Sequence, residues 1–112
     1  MGIAIQAQDT VYGRGAAGLW VLLEHIDDGS WTLSARAQTD QDGTVAQWCD
    51  RKLERGMYRI VLDTDPYFVS LGLRAAYPEI VVAFRVVDET AVGNVQILLS
   101  PHSFSAYFGS LS

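Results

Sequence analysis

The sequence predicts an all-β fold, a single sandwich of short antiparallel strands, and three observations carry that expectation. Apolar and polar residues alternate along most of the chain, which is the period of a half-buried strand. Turn-forming clusters rich in Gly, Asp and Ser interrupt the alternation at a spacing that suits a sandwich. One segment alone shows helical spacing.

Taken in order, the first strand is expected at Ile3 to Gln8, where Ala4, Gln6 and Gln8 share one face because strand side chains repeat every second residue. Gly13-Arg14-Gly15 turns the chain into a second strand, Gly18 to His25, and Asp27-Asp28-Gly29-Ser30 turns it again. The clearest alternation follows, with Trp31, Leu33, Ala35 and Ala37 on one face and Thr32, Ser34, Arg36 and Gln38 on the other. Asp40-Gln41-Asp42-Gly43 leads to a weaker strand at Thr44 to Trp48, and Arg55-Gly56 to one at Met57 to Asp63. Asp65-Pro66 then opens the helical exception, in which Tyr67, Phe68 and Leu71 recur at helical intervals before Gly72 stops them. Further strands are expected at Glu79 to Val87, Asn94 to Ser100 and Ser103 to Phe108, with a turn at Asp88-Glu89-Thr90, giving seven or eight strands. On the last long strand Asn94, Gln96 and Leu98 share a face, so amides gather near both ends of the chain.

Size and charge bound the function. At 112 residues and 49% hydrophobic content, residues 1–112 make one domain with a real core and no linker. A net charge of -5 with eight scattered Lys and Arg argues against nucleic acid, which demands clustered cations. No apolar run approaches the roughly 20 residues needed to cross a bilayer, and Met1 to Gln8 lacks the basic start and apolar centre of an export signal, so no membrane partner and a cytoplasmic location are expected. Cys49 is the single cysteine, which rules out an intrachain disulfide; Arg51 and Lys52 lie beside it, but no local motif supports a nucleophile and it reads as an inert small side chain at a turn.

Several strings, in consistent order, resemble the transthyretin and 5-hydroxyisourate hydrolase family. They are Asp9-Thr10 with Gly13-Arg14 and Ala16-Ala17-Gly18, Thr39-Asp40-Gln41-Asp42-Gly43, Gly56-Met57-Tyr58-Arg59, Asp63-Thr64, Tyr67-Phe68, Tyr77-Pro78-Glu79-Ile80-Val81-Val82, Leu98-Leu99-Ser100-Pro101 and Tyr107-Phe108-Gly109-Ser110. The resemblance implies a transthyretin-like (prealbumin) β-sandwich of two four-stranded sheets with one short helix. It further implies a homotetramer, a dimer of dimers with its sites in a central channel.

The resemblance also places the hydrolases' metal-free and cofactor-free site on four elements: a histidine in the first strand, an arginine after the Asp-Gly turn, a histidine opening the penultimate strand, and a closing Tyr-Arg-Gly-Ser signature. Carried over by position, these fall on Gln6, Thr44, Asn94 and Phe108. An amide does not titrate, so neither Gln6 nor Asn94 can take a proton from water, and Thr44 and Phe108 bring no positive charge. Tyr107, Gly109 and Ser110 keep the rest of the signature, while Gln8 and Gln96 add amides where the family usually has apolar residues.

A decayed, merely solvated surface is the plain alternative, but matched polarity added beyond the lost positions favours a binding site for a neutral, heteroatom-rich small molecule. The expected catalytic set is Gln6, Asn94, Tyr107 and His102, His102 being the titratable group nearest the pocket strands in sequence. Gln8, Thr44, Gln96, Phe108 and Ser110 are the expected substrate-binding set. Asp9 reads as a turn cap, His25 as exposed, and Trp20, Trp31 and Trp48 as core or sheet-face residues. The main expectation is a repurposed enzyme that promotes a cyclisation, rearrangement or isomerisation by orientation and hydrogen bonding. The alternatives are a carrier that holds its ligand unchanged and a 5-hydroxyisourate hydrolase with an atypical site.

Overall fold

The computed structural model describes residues 2–46, 53–87 and 92–111. Along these the chain forms β1 (Gly2–Asp9), β2 (Arg14–Gly15), β3 (Trp20–Asp27), β4 (Ser30–Gln38), β5 (Thr44–Val45), β6 (Gly56–Asp63), α1 (Thr64–Ser70), β7 (Ile80–Val86), β8 (Val92–Leu99) and β9 (Phe104–Leu111). The expectations for Trp48, Cys49 and the Asp88-Glu89-Thr90 turn lie outside the described residues.

The strands stack as two sheets. One runs β4-β3-β6-β7, and the other β2-β1-β8-β9 with β5 also paired to β1. The second sheet therefore holds five strands rather than the expected four, because two short strands share one edge of β1 in tandem: Gly15 and Arg14 pair with Gln8 and Asp9, Val45 and Thr44 with Ile5 and Gln6. β1 runs parallel to β8, so the first and penultimate strands lie side by side at the middle of that sheet.

Alternation explains the core. Ile3, Ile5 and Ala7 of β1 and Val95, Ile97 and Leu99 of β8 point inward and are buried, meeting Val21, Leu23, Ile60, Leu62, Ile80 and Val86 of the facing sheet. Each of the Val, Leu and Ile side chains contributes about 1.5–3 kcal/mol on burial, and Ala7 about 0.8 kcal/mol. Their neighbours on β1 and β8, including Gln6, Gln8 and Asn94, are left on the outer face.

β4 departs from the sequence expectation. The pairing of β3 with β4 shifts between Leu23 and Glu24, so that Leu23 faces Ala35 while Glu24 faces Leu33. Ser34 is the extra residue of this bulge, and it reverses which face the following alternation serves. Ala35 and Ala37 pack toward the core, whereas Leu33 is 54% exposed and Trp31 lies on the outer face beneath Arg59, 4.4 Å from guanidinium carbon to ring centre. The four apolar residues of this segment thus do not share one face.

The helix begins at Thr64, one residue ahead of expectation, with Pro66 inside its first turn, where a missing N–H costs nothing. Asp63 offers no side-chain cap; instead the Thr64 hydroxyl donates to the Tyr77 carbonyl at 2.7 Å and the Asp65 N–H to the Pro78 carbonyl at 3.1 Å. Phe68 anchors the helix in the core, and Gly72, at φ 75°, ends it.

Candidate functional site

The amides converge on the outer face of the five-stranded sheet. Register places Thr44 of β5 opposite Gln6 of β1, Gln6 beside Gln96 of β8, and Gln96 opposite Tyr107 of β9, so the four residues form one row across four strands. At the usual strand spacing the row spans roughly 14 Å. Gln96 Nε2 donates to Gln6 Oε1 at 3.4 Å, a long bond that leaves most of both amides' capacity open. A second row, Ala4, Asn94 and Gly109, flanks it on one side, and Gln8, Leu98 and Ser105 flank it on the other.

Thr44 reaches this row because of the turn before it. Asp40 Oδ1 accepts from the N–H groups of Asp42 and Thr44, each at 2.9 Å, and the Gly43 carbonyl accepts from the Ala7 N–H at 2.8 Å. Gly43 sits at φ 77°, and a Cβ there would run into the Ala7 carbonyl; only glycine lets the turn press against β1.

The remaining predicted residues fall elsewhere. Phe108 pairs with Val95 on the inner side and stacks on Phe84 of the facing sheet, 5.6 Å between ring centres, so it is a packing residue at the sandwich rim and not part of the amide face. Ser110 enters through its backbone, paired with Gly93. His102 is exposed in the turn joining β8 to β9, past the end of β8 and roughly 10 Å or more along the strand from Gln96. Nothing brings its imidazole to the row. Asp9 is fully buried and caps its turn as expected, accepting from the Val11 and Tyr12 N–H groups at 2.8 and 3.2 Å and from the Tyr67 hydroxyl at 2.6 Å. Burial, then the bond to Asp9 and its charge, push the Tyr67 phenol well above its ordinary value of 10.0. His25 is half-buried rather than exposed, its Nδ1 2.5 Å from Ser34 Oγ beside the β4 bulge.

Ser105 belongs to the amide face although sequence reasoning passed over it; counting back two residues from Tyr107 would have found it. The outer face of the other sheet holds a different arrangement, with Arg36 over Trp20 at 4.0 Å and Arg59 bonded to Glu24 at 2.6 Å. These link β3, β4 and β6 from outside.

The side chains named on the amide face include no Asp, Glu, Lys, Arg or His, and the set can donate, accept and orient. Among the described residues no group of three or more His, Cys, Asp or Glu could hold a metal ion, and no helix is long and apolar enough to cross a membrane.

Two twisted sheets around one core, a short helix on one connection and a polar outer face on the sheet that pairs β1 with β8 define a transthyretin-like sandwich. The family model "HIUase/Transthyretin family" matches residues 3–109. The chain is 35% identical over 109 residues to a 5-hydroxyisourate hydrolase of Salmonella typhimurium, covering 96% of this chain and 80% of that one. It is 30% identical over 105 residues to the 5-hydroxyisourate hydrolase of Mus musculus, covering 91% and 89%. In structure it is similar to sea bream transthyretin in complex with thyroxine, with a TM-score of 0.92 and 24% identity over 100% and 98% of the two chains. It is also similar to Klebsiella pneumoniae 5-hydroxyisourate hydrolase, at 0.85 and 23% over 98% and 100%. The chain belongs to the 5-hydroxyisourate hydrolase and transthyretin family.

Proposed function

We propose that the amide face binds 5-hydroxyisourate or a related cyclic ureide and promotes opening of its ring without a titrating base. The relatives' names favour this over the cyclisation or isomerisation expected from sequence, since the curated relatives cited are hydrolases of that compound. The observation that carries it is the row Thr44, Gln6, Gln96 and Tyr107, with Asn94 beside it: neutral donors and acceptors matched to a ring rich in carbonyl and N–H groups.

In this scheme Gln6 and Asn94 orient the ring and the attacking water through their carbonyl oxygens, and their amide N–H groups stabilise the negative charge that develops on the attacked carbonyl. Hydroxide from solution takes the proton of the attacking water as its oxygen bonds to the carbonyl carbon, the ring C–N bond breaks, and the departing nitrogen takes a proton from solvent, so no side chain exchanges one. The chain works as a homotetramer, so that faces from facing copies enclose the ligand; uncovered edges at β7 and β9 support assembly.

The test follows 5-hydroxyisourate decay by absorbance. The expected rate exceeds the spontaneous one yet falls about 10²–10⁴ below that of a histidine-bearing relative, the usual worth of a general base. It rises with pH without an inflection near 6.5. Alanine at both Gln6 and Asn94 should return it to the spontaneous value. Decay no faster than in buffer would overturn the proposal. The uncharged face specifically favours a second reading, binding with rearrangement or without any chemistry; mass spectrometry of a co-purifying ligand, returned altered or intact, separates those two outcomes.

A further inference from the structure

His25 and Ser34 form a pair on the sheet opposite the amide face. His25 of β3 pairs with Thr32 of β4, and Ser34 lies two residues further along β4. The bulge sets their contact: Ser34 has no pairing partner on β3, and its Oγ lies 2.5 Å from His25 Nδ1. Ser34 is exposed and His25 half-buried, so a molecule in solvent can reach the hydroxyl while the ring stays held. The imidazole lies beside Tyr58, 6.3 Å between ring centres, and the Tyr58 hydroxyl is itself fixed by donating to the Glu54 carbonyl at 2.9 Å.

His25 also borders a polar cavity of about 290 Å³ that Asp27, Glu54 and Arg55 line as well. Two carboxylates against one guanidinium favour the tautomer with its N–H at Nε2 and steady a positive charge on the ring. Nδ1 is then the atom left to accept the Ser34 proton.

We infer that Ser34 and His25 are a nucleophile and its general base, a site that takes an acyl group from a small activated ester. Ser34 Oγ bonds to the acyl carbon while its proton passes to His25 Nδ1. The bond to the leaving oxygen breaks with its electron pair, Nδ1 gives that oxygen the proton, and Ser34 is left as an ester. A polar cavity beside the pair suits a short acyl group over a long aliphatic one.

The probe is p-nitrophenyl acetate, mixed with the intact protein near neutral pH and quenched with acid within the first turnover; peptide mass spectrometry then locates the acetyl group. It is expected on Ser34, and sooner than on any lysine or tyrosine. Ser34→Ala should abolish that label together with the fast release of p-nitrophenolate. His25→Gln keeps a hydrogen-bonding group but takes no proton, and it should slow acetylation of Ser34 by about 10²-fold. Circular dichroism and thermal melts check that each variant is folded; where His25→Gln is not, the position of the label in the wild-type protein and the Ser34→Ala result decide. Acetyl groups confined to lysine, tyrosine or the N-terminus would overturn the inference, as would labelling of Ser34 at an unchanged rate in folded His25→Gln.

Discussion

At the scale of single residues, the buried carboxylate of Asp9 shows how this chain separates structure from function a few positions apart. Gln6 and Gln8 point outward from β1 to the amide face, while Asp9, one step further, turns inward and is satisfied by two backbone N–H groups and the Tyr67 hydroxyl. Asp9→Ala would strand those donors, and we expect a loss of about 3 kcal/mol in urea unfolding, with Tyr67→Phe costing about 1 kcal/mol. A change below about 0.5 kcal/mol for Asp9→Ala would show the cap to be dispensable. Tyr67 also carries a pH signature. Its phenol is raised in the folded state, so its contribution is fully present below the ordinary value of 10.0 and is lost as pH climbs from there toward the folded value. The stability advantage of wild type over Tyr67→Phe should therefore narrow above pH 10, measured by denaturant midpoints across an alkaline series.

At the scale of elements, the turn before β5 decides whether Thr44 joins the row at all. Gly43→Ala combines a positive φ with a collision against the Ala7 carbonyl, and we expect it to cost about 3 kcal/mol and to loosen β5 from β1. Hydrogen exchange at the Ala7 N–H, bonded to Gly43, reports the change; protection equal to wild type would contradict it. Legibility from sequence followed the same lines. β3 and β6 carry Leu22, Ile26 and Val61 on the outer parity as well as apolar residues on the inner one, whereas β1 and β8 alternate large apolar residues with Gln6, Gln8, Asn94 and Gln96, so their faces, and with them the outward amides, could be read directly. β4 could not, because Trp31 and Leu33 are apolar on the outer side of a bulge that only the pairing with β3 reveals. β9 has aromatic residues on both parities, Tyr107 and Phe108, and nothing local says which one faces the core; the stack on Phe84 decides it. The alignment of Gln6 with Gln96 was likewise beyond periodicity, which fixes a face but not the register of two distant strands.

At the scale of the whole molecule, the two sheets and their order match those of transthyretin and of a 5-hydroxyisourate hydrolase although sequence identity to those structures is 24% and 23%. A shared fold at that identity leaves function to be argued from the side chains of the site rather than from the frame. For the proposed assembly, native mass spectrometry should give a species four times the 12.3 kDa chain. A monomer across micromolar concentrations would remove the enclosed channel from the proposal.

The parallel pairing of β1 with β8 has a kinetic consequence. Gln6 and Gln96 are separated by 90 positions in the chain, so no fragment that stops short of either β1 or β8 can present the pair. Closing so long a loop is entropically costly and slow compared with forming a hairpin. Under the proposed function, ligand capture is thus a late event in maturation, and a fluorescent probe that responds to both glutamines would light up only once β1 and β8 have paired.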